Sequence, residues 1–158
     1  MEQSGGSEAE RLGAFIGTWA LEVAFPGAPP PPSAPPDGPR AEVTFEWLPG
    51  ERFLVQRWEV PVPEAPDGIA VIGYNEDRGT LLQHYFDSRG VARVYEMGLD
   101  GRTWTLSRTA PDFTELSFSQ RYTGEFNEDG GRIDGRWETS HDGGETWELD
   151  FGLSYVRD

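Results

Sequence analysis

The sequence predicts an all-β fold: a closed, antiparallel, up-and-down barrel of about ten strands, with one short helix in front of it. Three observations carry this. From residue 18 onward, apolar and polar residues alternate with period two in successive stretches near 18–25, 41–48, 52–60, 68–75, 80–87, 91–98, 102–108, 115–126, 132–139 and 146–157. The segments between them are mostly of hairpin length and rich in Gly, Asn and Asp: PGE at 49–51, NEDRG at 75–79, DSRG at 87–90, LDG at 99–101, NEDGG at 127–131 and HDGG at 141–144. A meander of this length leaves two unpaired edges unless it closes on itself. A sandwich is the rival, and its Greek-key crossings need at least one long connection.

Taken in order, residues 1–6 read as a disordered tail and 7–158 as one domain, a size at which a single core is sustainable. SEAE at 7–10 fits a capping box, with Ser7 as N-cap and Glu10 as its return partner. Leu12, Phe15 and Ile16 follow at helical spacing and Gly17 stops the turn, which predicts a helix over 8–16. The long connection is PGAPPPPSAPPDGP at 26–39, which holds eight of the chain's 13 prolines. It cannot donate to a β ladder and is expected to be extended or disordered. It reads first as a tolerated surface insertion, and otherwise as a flap or a docking segment.

The strands also predict which residues face in. On the last strand Trp147, Leu149, Phe151, Leu153 and Tyr155 share one face. Ile133, Gly135 and Trp137 oppose Asp134, Arg136 and Glu138; Leu116, Phe118, Gln120 and Tyr122 oppose Ser117, Ser119, Arg121 and Thr123; Trp104 and Leu106 oppose Thr103, Thr105 and Ser107. In 80–87, Leu82, His84 and Phe86 are placed inside. The expected ligand-binding interior is therefore Trp58, His84, Phe86, Tyr95, Trp104, Gln120, Tyr122 and Trp137, although alternation leaves the facing of Trp58 and Tyr95 open. An interior of aromatic rings with few polar groups suits a small apolar molecule. A barrel packed solid with aromatics is the competing expectation.

Charge and composition narrow the function classes. Asp and Glu number 28 against 13 cations, all of them Arg, for a net charge of −15. Such a surface repels phosphate, so neither nucleic acid nor an anionic membrane is an expected partner. With no Cys there is no disulfide, thiolate chemistry or Cys-based metal site. The N-terminus MEQSGGSEAER has no apolar core of a signal peptide, and cytoplasmic is the default location. Monomer and homodimer are both open.

Catalytic constellations are not legible. His84 is the one internal base, and Asp87 lies on the opposite face of the same strand and cannot orient it. Two distant His give no metal-ligand spacing. NEDGGRIDG at 127–135 lacks the terminal Glu of a calcium loop and reads as an acidic hairpin. No Ser–His–Asp, P-loop or dinucleotide pattern stands out. A cavity binder without covalent chemistry is the first reading. A small-barrel isomerase or cyclase, with acid–base help from His84 or a Tyr, is the second. A structural or interaction module docking through the proline loop is the third.

SHDGGETW at 140–147 fits S-x-D-x-G-x-T-W, which resembles the Asp-box of sialidase propellers. A propeller blade takes roughly 40–50 residues, so the chain is too short for one. The motif reads as a structural hairpin, and two facing carboxylates for glycoside cleavage cannot be argued.

Gly17-Thr18-Trp19 at the first strand with Arg157 on the last resembles the opening and close of the calycin superfamily, which includes lipocalins, fatty-acid-binding proteins and nitrobindins. FEWLPGERFLVQRWE (45–59), VIGYNEDRG (71–79), HYFDSRG (84–90) and the DGGETW hairpin resemble a bacterial calycin family of unknown function, and the likeness spans about 11–157. The resemblance implies a barrel in which Arg157 packs over Trp19 at a closed end. It also implies a place for a haem-ligating His on the last strand, where this chain has Phe151. No cofactor is expected.

Overall fold

The computed structural model describes residues 11–24, 26, 41–60, 66–111, 115 and 117–157. Ten strands follow one another: β1 (Gly17–Ala24), β2 (Glu42–Trp47), β3 (Phe53–Glu59), β4 (Gly68–Asn75), β5 (Thr80–Asp87), β6 (Ala92–Asp100), β7 (Thr103–Arg108), β8 (Ser119–Phe126), β9 (Arg132–Ser140) and β10 (Glu148–Arg157). Every strand pairs antiparallel with its chain neighbour, and β1 also pairs with β10, which closes the barrel. The expected all-β, up-and-down barrel is the observed one, and each expected strand is present.

The short helix differs in kind. Leu12–Phe15 forms a 3-10 helix whose Leu12 and Phe15 are fully buried. Four residues suffice here because the helix only has to place those two side chains into the barrel end. The capping box at 7–10, the tail at 1–6 and the segment 27–39 of the proline-rich connection lie outside the described residues.

One end of the barrel is sealed by packing. Trp19 is fully buried, and the Arg157 guanidinium lies 4.0 Å from its ring centroid. The Trp19 indole N–H donates to the Phe15 carbonyl at 2.8 Å. Arg157 in turn donates to the carbonyls of Ile16 (2.6 Å) and Ala14 (2.7 Å), so one cation ties the helix to the last strand. Above this plug Phe15 touches Phe45, Trp104 and Phe126, with ring centroids 4.8 to 5.3 Å apart. Strand direction places the last residues of β1, β3, β5, β7 and β9 and the first residues of β2, β4, β6, β8 and β10 at the opposite end, here called the mouth.

Two facing expectations are corrected. In β5 the register aligns Gln83 with Ile72 and Tyr85 with Ala70, both buried. Leu81, Gln83, Tyr85 and Asp87 therefore face in, while Leu82, His84 and Phe86 face out, and Phe86 is 39% exposed. Alternation failed there because the outer face of β3 to β6 is apolar as well: Phe53, Val55, Ile69, Val71 and Val94 sit on it, so the contrast between faces is lost. In β10 the pairing shifts between Leu149 and Phe151, which turns Leu149 outward to 50% exposure. One extra residue in a strand reverses the parity of everything before it.

The SHDGGETW hairpin is held by its own side chains. The Ser140 hydroxyl accepts from the Gly144 amide (2.9 Å) and donates to Asp142 (2.8 Å). The Asp142 carboxylate accepts from both the Thr146 amide (2.8 Å) and the Thr146 hydroxyl. Gly143 and Gly144 take the positive φ values of 77° and 93° that the turn requires. Trp147 lies outside the barrel, stacked on Arg121 at 4.2 Å. The Thr146 and Ser140 hydrogen bonds hold the Asp142 carboxyl at about 2. Replacing Asp142 by Ala is expected to lower the melting temperature by about 2–4 °C and leave ligand affinity unchanged. An unaltered melting curve in calorimetry would contradict this account of the turn.

Candidate functional site

The lumen between plug and mouth is the candidate site. Six of the eight residues expected to line it do face inward: Trp58, Tyr95, Trp104, Gln120, Tyr122 and Trp137. His84 and Phe86 do not, so the one base proposed for the interior sits on the outer surface.

The inward rings form a connected path across the barrel. Trp58 stacks on Tyr85 (5.3 Å), Tyr85 meets Tyr95 edge-on (6.1 Å), and Tyr95 reaches Trp137 on the far wall (5.4 Å). Trp137 touches Tyr122 (5.3 Å), and Tyr122 touches Trp104 (5.0 Å). Small residues make room for the large ones. A Cβ at Gly68 would stand 2.1 Å from the Trp58 ring, and one at Gly135 would stand 2.0 Å from the Tyr122 hydroxyl. That hydroxyl donates to the Leu153 carbonyl at 2.9 Å, which fixes the ring across β9. Burial raises the Tyr122 hydroxyl far above its ordinary range, and it stays protonated.

Burial grades along the lumen. Phe15, Trp19, Trp104 and Ile133 at the helix end are 0% exposed, whereas Trp58, Tyr85 and Trp137 toward the mouth are only partly buried. The floor is filled, and the rings nearest the mouth keep partial exposure to solvent.

Polar groups occupy the boundary. The Gln83 amide donates to Gln56 Oε1 at 3.0 Å, and the Tyr95 hydroxyl donates to Gln120 Oε1 at 3.2 Å. Gln56 also hydrogen-bonds Tyr155, whose hydroxyl burial pushes up. Sequence reasoning missed Gln56, Gln83, Tyr85 and Asp87. Their inward facing follows from the registers of β3 to β5, where both faces are apolar and alternation carries no signal.

Nearest the mouth, Tyr85 donates to Asp87 at 2.7 Å, and Arg89 makes an ion pair with the same carboxylate at 2.7 Å. Burial alone would raise the Asp87 carboxyl, but hydrogen bonds from Arg89 and Tyr85 outweigh it and hold it at about 2. Tyr85 moves the other way, raised first by burial and then by the Asp87 carboxylate. At neutral pH the pair is a locked phenol and a locked carboxylate, with neither group poised to exchange a proton. A carboxyl depressed in the fold stabilises it above the ordinary carboxylate range, and that contribution is lost as pH falls from about 4 to about 2. Asp87→Asn should therefore lower the melting temperature at pH 7 and flatten its dependence between those pH values. A variant curve parallel to the wild type would contradict the assignment.

Among the described residues no group of three or more His, Cys, Asp or Glu is arranged to hold a metal ion. Phe151 faces Trp137 across the strand pair and offers no coordinating atom where the family resemblance would place a haem ligand. Among the same residues no helix is long and apolar enough to cross a membrane.

Comparison with protein families finds no matching family, and comparison with curated proteins finds no match. Among solved structures, the chain is similar to the crystal structure of Rv2717c from M. tuberculosis, with a TM-score of 0.55 and 16% identity, over 94% of this chain and 96% of that one. At that identity the likeness is one of fold, along nearly the whole length of both chains.

Proposed function

We propose that this protein is a cytoplasmic carrier of the calycin type, which captures a small, mostly apolar molecule in the upper lumen and performs no covalent step. The single observation behind it is the gradient of burial: inward aromatic rings that are sealed at the helix end and only partly buried toward the mouth. A barrel built only for stability would fill both halves, since unfilled apolar surface forfeits contacts. The Arg157–Trp19 lid supports the calycin reading, because it is the arrangement that the resemblance implies. Acid–base catalysis has little support. His84 is outside, and the Tyr85–Asp87 pair is locked in its neutral-pH charge state.

The test is a titration with N-phenyl-1-naphthylamine, an uncharged apolar fluorophore. Saturable binding at one molecule per chain, with quenching of tryptophan emission, is the expected result. Linear, unsaturable fluorescence would remove the carrier reading.

A further inference from the structure

The inward faces of the strands are charged against the trend of the chain. The protein has 28 Asp and Glu against 13 Arg, for a net charge of −15. Two of those Arg nonetheless face the lumen. Arg93 on β6 lies opposite the inward Tyr85, and Arg108 on β7 lies opposite the inward Gln120. Two carboxylates share the inward faces. Asp87 is already held by Arg89 and Tyr85. Glu148 pairs with Thr139 at the start of β10, exposed at the rim and separated from β6 by β7, β8 and β9. Arg108 is buried and donates to the Glu115 carbonyl. Arg93 is half-buried, two residues nearer the mouth than Tyr95, and makes no ion pair or hydrogen bond among the described residues. Its guanidinium stands 5.8 Å from the ring of Phe118, the residue before β8, so it reaches past β7 along the inner wall of the mouth.

A cation turned inward without a carboxylate beside it loses hydration and gains little, unless an anion joins it there. Resting on the carrier reading above, we infer that Arg93 anchors the charged end of the cargo. The ligand is then an apolar body with one anionic group, a carboxylate or sulfonate, bound with its charge at the mouth and its body among the rings of Trp58, Tyr85, Tyr95 and Trp137. The guanidinium offers a carboxylate two parallel N–H donors. Phe118 shields one side of that pair from water, which makes it stronger than a fully exposed ion pair. The reverse orientation would cost more. Trp104 at the floor is fully buried against Phe15, Tyr122 and Tyr155, and its indole N–H has no acceptor among the described residues. A carboxylate at that depth would meet rings and one neutral donor. Arg157, the cation nearest the floor, lies on the Trp19 ring and is engaged by the Ile16 and Ala14 carbonyls. The acidic outer surface opposes an anion only at short range, because physiological salt screens it within about 8 Å.

The test uses three ligands of one body on the full chain at pH 7: naphthalene, 1-naphthaleneacetamide and 1-naphthaleneacetate, followed by tryptophan quenching. The acetate should bind about tenfold more tightly than the amide, and added salt should erode that preference. In Arg93→Gln the preference should vanish while the affinities for naphthalene and the amide hold. Arg136→Gln, which removes an equal charge from the outer face of β9, should leave the preference intact. The comparison within wild-type protein stands even if a variant fails to fold. If naphthalene does not bind, the carrier reading falls and the anion subsite with it. If naphthalene binds and the acetate does not exceed the amide, the anion subsite alone falls. A preference for the acetate that survives in Arg93→Gln overturns Arg93 as the anchor.

Discussion

Replacing Trp19 by Ala should destabilise the barrel by about 3–5 kcal/mol in urea unfolding, the largest loss expected of any single truncation here. The indole is fully buried and meets Phe126 and Tyr155 at 6.4 Å each. Its N–H holds the Phe15 carbonyl, and its face carries Arg157. Truncation opens a cavity large enough to loosen the helix and strips the cation of its ring. Trp19→Phe should cost less, since it keeps most of the apolar volume and loses the N–H bond. Arg157→Ala should also cost less, because it leaves the indole buried while freeing the carbonyls of Ile16 and Ala14. A Trp19→Ala loss below about 1 kcal/mol would mean that the plug does not seal the barrel.

The second large effect is on binding. Trp137→Ala should weaken N-phenyl-1-naphthylamine about tenfold, whereas Arg136→Ala, its neighbour on the same strand, should leave affinity unchanged. Trp137 faces the lumen between Tyr95 and Tyr122, and Arg136 is exposed on the outside. Removing one aromatic wall gives up roughly 1–3 kcal/mol of apolar contact. Trp137 is the better probe than Tyr122, whose ring is almost fully buried and braced on Leu153, so that its loss would mix stability with affinity. Equal effects at positions 136 and 137 would contradict a lumenal site.

The architecture was legible because two signals agreed: period-two patterning and Gly/Asn/Asp turns that are too short for anything but hairpins. The closing Trp19–Arg157 contact was legible from a resemblance, and its geometry matches what was expected. Facing was legible only where one side of the sheet is polar. In β9, Asp134, Arg136 and Glu138 set off Ile133, Gly135 and Trp137, and the assignment holds. In β5 neither face is charged before Asp87, so register against β4 decides, and sequence alone does not contain it. That is why Gln83, Tyr85 and Asp87 were missed and His84 and Phe86 misplaced. The bulge that turns Leu149 outward had no signal either, since alternation continued unbroken through it.

The outer apolar face of β3 to β6, with Phe53 and Phe86 exposed, is the other place where an apolar probe could bind. The most direct test of the account is therefore where the probe sits. Intermolecular nuclear Overhauser contacts from bound N-phenyl-1-naphthylamine should run to the ring protons of Tyr95, Trp137 and Trp58. Contacts to Phe53 and Phe86, with none to those three rings, would contradict it.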